Sequence, residues 1–271
     1  MILKIAQILS VLFFFVLSGS VIAQDVGSHD SLLFGLSPQL TKEQQERWLP
    51  LIKHIEKQTN YPLRLQTSPT IPVFENRLFA GKFDLAYVNP KLFVEAERYV
   101  GYQPVVKEGQ KKLIAIIVVA KDSPYQSIKD LNGLRFVSPE NTFAASVLSR
   151  LNLYAQGVSV THNPVKTASE GYSLIAAGSA DAVGGVQQTF DTLPVKLKNK
   201  LKILWTSEGV TPYAFIIHPR VNAVVRQRIV EAILDFKDIP EAAAFFKALQ
   251  ISPFVTAENK DWDDIRQLLG Q

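Results

Sequence analysis

The sequence predicts an α/β protein with two lobes, and an internal repeat is the main observation behind that prediction. Residues 80–87 (Ala-Gly-Lys-Phe-Asp-Leu-Ala-Tyr) return as residues 177–184 (Ala-Gly-Ser-Ala-Asp-Ala-Val-Gly). In each copy a glycine is placed to end a helix, because glycine adopts the left-handed conformation without a Cβ penalty. The aspartate then leads into a small or apolar run typical of a buried parallel strand. Two such units predict two lobes that face one cleft, with a ligand at the carboxyl ends of the strands.

The rest of the chain alternates strands and helices, which favours an α/β fold with parallel pairing. Apolar, alternating or β-branched runs predict the other strands: 32–36, 63–67, 113–120, 134–137, 201–205 and 214–217. Helical spacing behind a capping residue or an early proline predicts the helices: 41–60, 70–81, 127–131, 143–153, 169–178, 221–236 and 241–249. The first of these helices starts with a capping-box pattern at Thr41 and Gln44, and the second has Pro72 in its first turn.

The chain is expected to cross between the lobes twice, near residues 120–122 and 206–212. This organisation predicts a first lobe that is discontinuous and a second lobe that is inserted into it. The predicted bounds are a signal peptide at 1–23, a first lobe at 24–120 plus 207–271, and a second lobe at 121–206.

The first 23 residues have the pattern of a cleavable signal peptide. Lys4 is followed by an apolar stretch over residues 5–16 and then by small residues up to Ala23. The alternative is a membrane anchor, but this apolar stretch is shorter than the ~20 residues that span a bilayer. Cleavage after Ala23 predicts a periplasmic protein. Because the chain has no cysteine, it forms no disulfide and carries no diacylated cysteine anchor.

Composition and motifs argue against several classes of function. The chain has 29 Lys+Arg against 25 Asp+Glu, and the basic residues are scattered, so no nucleic-acid partner is predicted. Its four histidines have no ligand spacing, and no metal site or cofactor is expected. The sequence has no nucleophile elbow, P-loop or dinucleotide fingerprint, so we do not predict an enzyme.

An ordered set of short segments resembles one known family across nearly the whole chain after residue 23. The segments are FGLSP (34–38), RWLPL (47–51), GKFDLAYVNP (81–90), KDS (121–123), LNG (131–133), FVSP (136–139) and AGSADA (177–182). They are similar to periplasmic phosphate-, phosphite- and phosphonate-binding proteins of ABC importers. The resemblance implies a type II periplasmic-binding fold whose two lobes close on a ligand.

The chain departs from that family at its anion cradle. Members that bind phosphonates usually carry Ser-Thr-Ser-Gly where this chain has residues 141–144, Asn-Thr-Phe-Ala. Ile71 stands where a tyrosine is common, and the loop at Ser169 lacks a common histidine. Fewer hydroxyls predict that phosphate and simple phosphonates bind weakly, and that a ligand with an apolar or aromatic part binds better.

Residues Asn141, Thr142 and Phe143 are the predicted ligand contacts of the second lobe. They lie at the start of a helix, where free N–H groups and the helix dipole favour an anion. Asn141 and Thr142 have the alternative of ordinary helix capping. Phe143 either stacks on a ligand or fills the core. Ser169 is a further, weaker contact in this lobe.

Ser37, Tyr87 and Asn89 are the predicted contacts of the first lobe, because each follows or ends a strand. The alternative is that Asn89 forms a turn with Pro90 and that Tyr87 is a packed aromatic residue. Gln187, at the end of the second copy of the repeat, completes the predicted ligand-binding set.

Two classes of function remain open from the sequence. The first is a monomeric transport receptor that captures a small anion, such as a phosphonate, a phosphate or another organic anion, and hands it to an ABC permease. The alternative is a periplasmic sensory protein of the same fold that reports its ligand to a membrane histidine kinase. An enzyme is the third choice, since the chain lacks a nucleophile–base pair.

Overall fold

Two mixed β-sheets, each flanked by helices, make up the fold. A computed structural model describes residues 31–36, 42–109, 112–140 and 142–270. The predicted signal peptide lies outside the described residues. Among the residues that are described, no helix is long and apolar enough to cross a membrane.

The strands and helices follow the predicted order, with several additions and with the helix predicted over residues 41–60 divided in two by a turn at residues 47–48. The strands are β1 (Leu32–Leu36), β2 (Leu63–Gln66), β3 (Leu85–Val88), β4 (Gln103–Glu108), β5 (Ala115–Ala120), β6 (Arg135–Pro139), β7 (Thr161–Val165), β8 (Ala182–Val186), β9 (Leu201–Thr206), β10 (Ala214–Ile217) and β11 (Phe254–Thr256). The α-helices are α1 (Lys42–Glu46), α2 (Leu49–Thr59), α3 (Ile71–Phe79), α4 (Pro90–Val100), α5 (Ser149–Ala155), α6 (Ala168–Ala176), α7 (Gln187–Asp191), α8 (Val195–Lys198), α9 (Ala223–Asp235), α10 (Ala242–Leu249) and α11 (Asp263–Leu268). A π-helical segment, Phe143–Leu148, runs directly into α5, and short 3₁₀ turns precede β6, α10 and α11.

The strands divide between a six-stranded and a five-stranded sheet. The first has the order β11-β4-β10-β3-β1-β2 and the second the order β7-β6-β8-β5-β9. Strand β5 therefore pairs in the second sheet, whereas the predicted boundary at residue 120 assigns it to the first lobe. The lobe bounds themselves stay a prediction.

The expectation of parallel pairing is correct for only part of each sheet. Strand β1 pairs in parallel with β2 and β3, and β6 pairs in parallel with β7 and β8. Strands β10 and β5 run antiparallel to their neighbours. Each of these two strands follows a crossing between the sheets, so it starts at the edge where the parallel strands end.

The first copy of the repeat is held together by its aspartate. Gly81 has φ +65° and ends α3 in the predicted left-handed conformation. The Asp84 carboxylate accepts hydrogen bonds from the Leu33 backbone N–H at 2.8 Å and from Arg220 Nε at 2.7 Å. Arg220 also donates to the carbonyl of Gly81. Asp84 thus links the end of a helix to the neighbouring strand.

The second copy repeats that arrangement in the other sheet. Gly178 has φ +71°. The Asp181 carboxylate accepts from the backbone N–H and from the Nε of Arg135, both at 2.9 Å. Arg135 also donates to the carbonyls of Gly178 and Ser179. The repeat is therefore a structural one: in each lobe an Asp–Arg pair fastens the helix end to a strand.

Two adjacent glycines let helices approach both faces of β8. A Cβ atom added at Gly184 would lie 2.0 Å from the Ala145 carbonyl oxygen, and one added at Gly185 would lie 1.9 Å from Tyr172 Oη. Ala145 belongs to the π-helical segment and Tyr172 to α6. The helices of the second lobe therefore rest on backbone that carries no side chain.

Asp181→Asn is expected to reduce stability at neutral pH and not in acid. Hydrogen bonding from Arg135 holds the pKa of the Asp181 carboxyl below its usual range. Because the folded pKa lies below the unfolded value of about 4, the pair stabilises the fold fully above that value. Its contribution is lost as pH falls through the folded pKa. Denaturant unfolding at about pH 7 and about pH 2.5 measures both states.

In that experiment wild type should be more stable than the variant at neutral pH, and the gap should close in acid. Asp122→Asn, at an exposed turn, is the control and should show little difference at either pH. A gap of the same size at both values would contradict the role assigned to the pair.

Candidate functional site

A cavity of about 360 Å³ lies where the strands of both sheets end. Leu36, Tyr87 and Glu108 bring the ends of β1, β3 and β4 to its wall, and Val186 brings the end of β8. Its aromatic and polar lining residues are Trp48, Tyr87, Glu108, Gln188, Thr189, Tyr213 and Gln250. Among the described residues of its wall there is no lysine or arginine. The described part of the wall therefore offers hydrogen-bonding groups and aromatic surface.

Tyr87 is the predicted site residue that lies in this wall. It is 8% exposed, and its hydroxyl donates to Glu108 Oε1 at 2.5 Å. Burial, followed by the Glu108 carboxylate, raises the pKa of Tyr87 well above its usual value. Tyr213 stacks on Tyr87 with ring centroids 5.3 Å apart, and burial raises the pKa of Tyr213 to about 12. Both phenols are therefore protonated at neutral pH and act as hydrogen-bond donors.

Trp48, which directly precedes α2, and Gln188, in α7, both line the cavity. The Trp48 ring lies 4.8 Å from the Tyr87 ring, centroid to centroid, and Trp48 is 2% exposed. Gln188 lies in the first turn of α7, and its Nε2 donates to the Lys112 carbonyl at 2.9 Å. Lys112 lies in the first crossing between the sheets, so this bond joins the second-lobe wall of the cavity to the crossing.

Asn89 caps a helix that the sequence analysis did not predict. Its side-chain oxygen accepts from the Leu92 backbone N–H at 2.9 Å, at the start of α4. Asn89 also lines a second cavity of about 70 Å³ together with Phe143. The structure therefore brings Asn89 and Phe143 together, at a place separate from the larger cavity that Tyr87 lines.

Thr142 and Phe143 begin the helical run that follows β6. Thr142 Oγ1 donates to the Pro139 carbonyl at 3.0 Å, so the hydroxyl is turned back toward the strand. Phe143 is 2% exposed and belongs to a hydrophobic cluster that includes Phe74 and Phe83 of the first lobe. Its burial favours the core alternative, and a ligand contact for Phe143 stays a prediction.

The remaining predicted residues do not converge on the larger cavity. Ser169 is exposed on α6, where its carbonyl accepts from Ser173 Oγ at 3.0 Å. Gln187 begins α7 and donates to Asp191 Oδ1 at 3.0 Å, while Gln188 and Thr189 beside it line the cavity. Ser37 and Asn141 lie outside the described residues.

Of the polar and aromatic residues of the cavity wall, the sequence analysis missed six: Trp48, Glu108, Gln188, Thr189, Tyr213 and Gln250. The sequence offered one indication that Trp48 is functional, because Trp48 lies in the segment RWLPL (47–51), which resembles the family. Glu108 follows the buried run Val105–Val106 and would have been found if that run had been predicted as a strand. Gln187, the neighbour of Gln188, is the predicted contact, because the sequence does not show which residue in the first turn of α7 lines the cavity.

A family model described as the periplasmic phosphonate substrate-binding protein of ABC transporters matches residues 34–262. The chain belongs to this family. The phosphonates-binding periplasmic protein of Escherichia coli K12 is 22% identical over 256 residues, covering 88% of this chain and 75% of that protein. The match confirms the family resemblance found in the sequence.

Solved structures of similar proteins confirm the predicted type II fold with two lobes. PhnD1 from Prochlorococcus marinus, in complex with methylphosphonate, has a TM-score of 0.77 at 16% identity, covering 88% of this chain and 96% of that chain. A binding-protein component of an ABC phosphonate transporter from Pseudomonas aeruginosa has a TM-score of 0.74 at 16% identity, covering 89% and 86%. These identities establish the common fold.

Proposed function

We propose that this protein captures an organic phosphonate in the cavity between its two sheets and, as a monomer, delivers it to the permease of an ABC importer. The observation that carries the proposal is the cavity itself, whose wall combines strand ends of both lobes. A ligand bound there contacts both lobes at once and so favours their closed arrangement. The family match supports this transport role over the sensory alternative.

The wall of the cavity favours a ligand with an organic part. Trp48, Tyr87 and Tyr213 offer aromatic surface, and a bare phosphate ion has no apolar surface with which to cover it. The Glu108 carboxylate, half-buried in the same wall, repels an anionic head group. We therefore place the organic part of the ligand beside Glu108 and the head group away from it.

We propose that the head group binds at the start of the helical run after β6, with Thr142 as its contact, once the two lobes close and bring that run up to the cavity. That run continues from the π-helical segment through α5, and the N–H groups of a first turn favour a negative charge. The Thr142 hydroxyl has one proton, which it donates to the Pro139 carbonyl in this structure, so the head group accepts that proton only when the hydroxyl turns away from Pro139. Asn141 stays part of this proposed cradle, and Asn89 is proposed as a contact from the first lobe.

Thr142→Val is expected to weaken binding of an organic phosphonate about tenfold. The change keeps the shape of the side chain and removes one hydrogen bond to a charged group, and each ~1.4 kcal/mol lost is a factor of ten. Calorimetry with phenylphosphonate, methylphosphonate and inorganic phosphate measures the effect. In wild type phenylphosphonate should bind most tightly and phosphate most weakly.

Ser173→Ala removes an exposed hydroxyl from α6 and is the control, with no expected change in affinity. Unchanged affinity in Thr142→Val would contradict the proposed contact with the head group and leave Thr142 with a structural role at the start of the helix. Phosphate binding more tightly than either phosphonate would contradict the proposed ligand class.

We also propose export to the periplasm with removal of residues 1–23. The support is the short apolar stretch followed by small residues up to Ala23, together with membership of a periplasmic family. The intact mass of the exported protein should correspond to a chain that begins at Gln24. Protein found in the membrane fraction with Met1 still present would contradict the cleavage.

A further inference from the structure

One hydrogen-bond donor and one acceptor are left unpaired in the wall of the larger cavity, on opposite lobes. The indole N–H of Trp48 and the side-chain oxygen of Gln188 are both buried, and neither has a hydrogen-bond partner among the described residues. Both residues line the cavity. Buried polar groups are nearly always paired in native proteins, so two exceptions in one cavity need an explanation.

The two groups are held in place by their surroundings. Trp48 is fixed by ring contacts with Tyr87, Phe215 and Phe245, at centroid distances of 4.8, 6.0 and 5.6 Å. Gln188 is fixed through its Nε2, which donates to the Lys112 carbonyl. That bond decides which end of the amide is which, because only the nitrogen can donate to a carbonyl. The unpaired end of Gln188 is therefore an acceptor.

We propose that Trp48 and Gln188 bind the organic part of the ligand and select for a hydroxyl substituent on it. This inference rests on the proposed function. An indole N–H only donates and an amide oxygen only accepts, whereas a hydroxyl group does both. An ammonium substituent would leave Trp48 unpaired because it has no acceptor, and an alkyl substituent would leave both groups unpaired. The hydroxyl group of a hydroxyalkylphosphonate accepts from the Trp48 N–H and donates to the Gln188 side-chain oxygen, so both groups are paired.

The position of the ligand is tested by fluorescence, because the chain has three tryptophans. Titration with 2-hydroxyethylphosphonate should change the emission of wild type. The change should be lost in Trp48→Phe and kept in Trp262→Phe. Trp262 is the matched control, since it is fully buried and is not a lining residue of the cavity, and its N–H is already paired with the carbonyl of Pro212, a lining residue, at 3.0 Å.

The selectivity is tested by calorimetry with 2-hydroxyethylphosphonate, ethylphosphonate and 2-aminoethylphosphonate. Wild type should bind the hydroxyl compound about tenfold more tightly than the ethyl compound. That preference should shrink in Trp48→Phe and in Gln188→Met and remain in Trp262→Phe. Gln188→Met keeps the inference testable if Trp48→Phe does not fold.

Four outcomes would overturn the inference. Equal binding of the hydroxyl and ethyl compounds would remove the selection and leave the proposed phosphonate function standing. Tighter binding of the amino compound would show that the wall selects a cation. An unchanged preference in both variants would mean that other residues select the hydroxyl. Absence of binding by all three phosphonates would defeat the proposed function as well.

Discussion

Gly184→Ala is expected to lower the free energy of unfolding by about 3 kcal/mol. The new methyl group would lie 2.0 Å from the Ala145 carbonyl oxygen and 2.9 Å from the Phe136 ring. The nearer atom belongs to backbone, so the π-helical segment must move away from β8. Urea or guanidinium unfolding of wild type and variant measures the loss.

Gly178→Ala provides the comparison for this substitution. Gly178 has φ +71°, and an added Cβ would meet no atom within 4 Å. The cost there is the strain of the left-handed conformation alone, about 1 kcal/mol. A loss at Gly184 no larger than the loss at Gly178 would show that the helix yields easily, and would contradict the tight packing described for β8.

Asp84→Ala is expected to cost about 2–4 kcal/mol of unfolding free energy. The Asp84 side chain is 15% exposed, and its removal leaves the Leu33 N–H and the Arg220 guanidinium without the carboxylate that they share. The backbone of Asp84 also accepts from the His218 N–H at 2.9 Å, next to Arg220. The change therefore removes side-chain contacts that connect β3 to β1 and to the segment after β10.

Asp84→Asn separates the charge from the hydrogen bond. An asparagine oxygen can still accept from the Leu33 N–H, so this variant should lose less than half as much stability as Asp84→Ala. Denaturant unfolding of the three proteins under one set of conditions makes the comparison. Equal losses in the two variants would mean that the ion pair with Arg220 carries the whole effect.

Local signals predicted much of the fold. The left-handed glycines at Gly81 and Gly178 and the strand and helix runs are properties of neighbouring residues, and the structure confirms them. The Asp–Arg pairs that fasten the repeat were not predicted. Arg220 lies 136 positions from Asp84, and no local pattern joins residues so distant.

Strand direction and the cavity wall could not be predicted for the same reason. Strands β5 and β10 are antiparallel because of where the chain crosses between sheets, which is decided by the whole fold. Glu108 ends β4 of the first sheet and Gln188 lies in α7, which follows β8 of the second sheet, yet both line one cavity. Sequence reasoning located Tyr87 at a strand end, while the residues around it required the tertiary structure.

The order of strands in the first sheet has a consequence for how an exported chain matures. Strand β10 lies between β3 and β4, and β11 completes the outer edge beyond β4. The second sheet, by contrast, uses one uninterrupted stretch from β5 to β9. A chain that emerges amino end first can therefore assemble the inserted lobe before the first lobe has received its central strand. The amino-terminal strands are synthesised first but are expected to be among the last to pair completely. Their apolar faces therefore stay accessible to chaperones and proteases until the final quarter of the chain has been made.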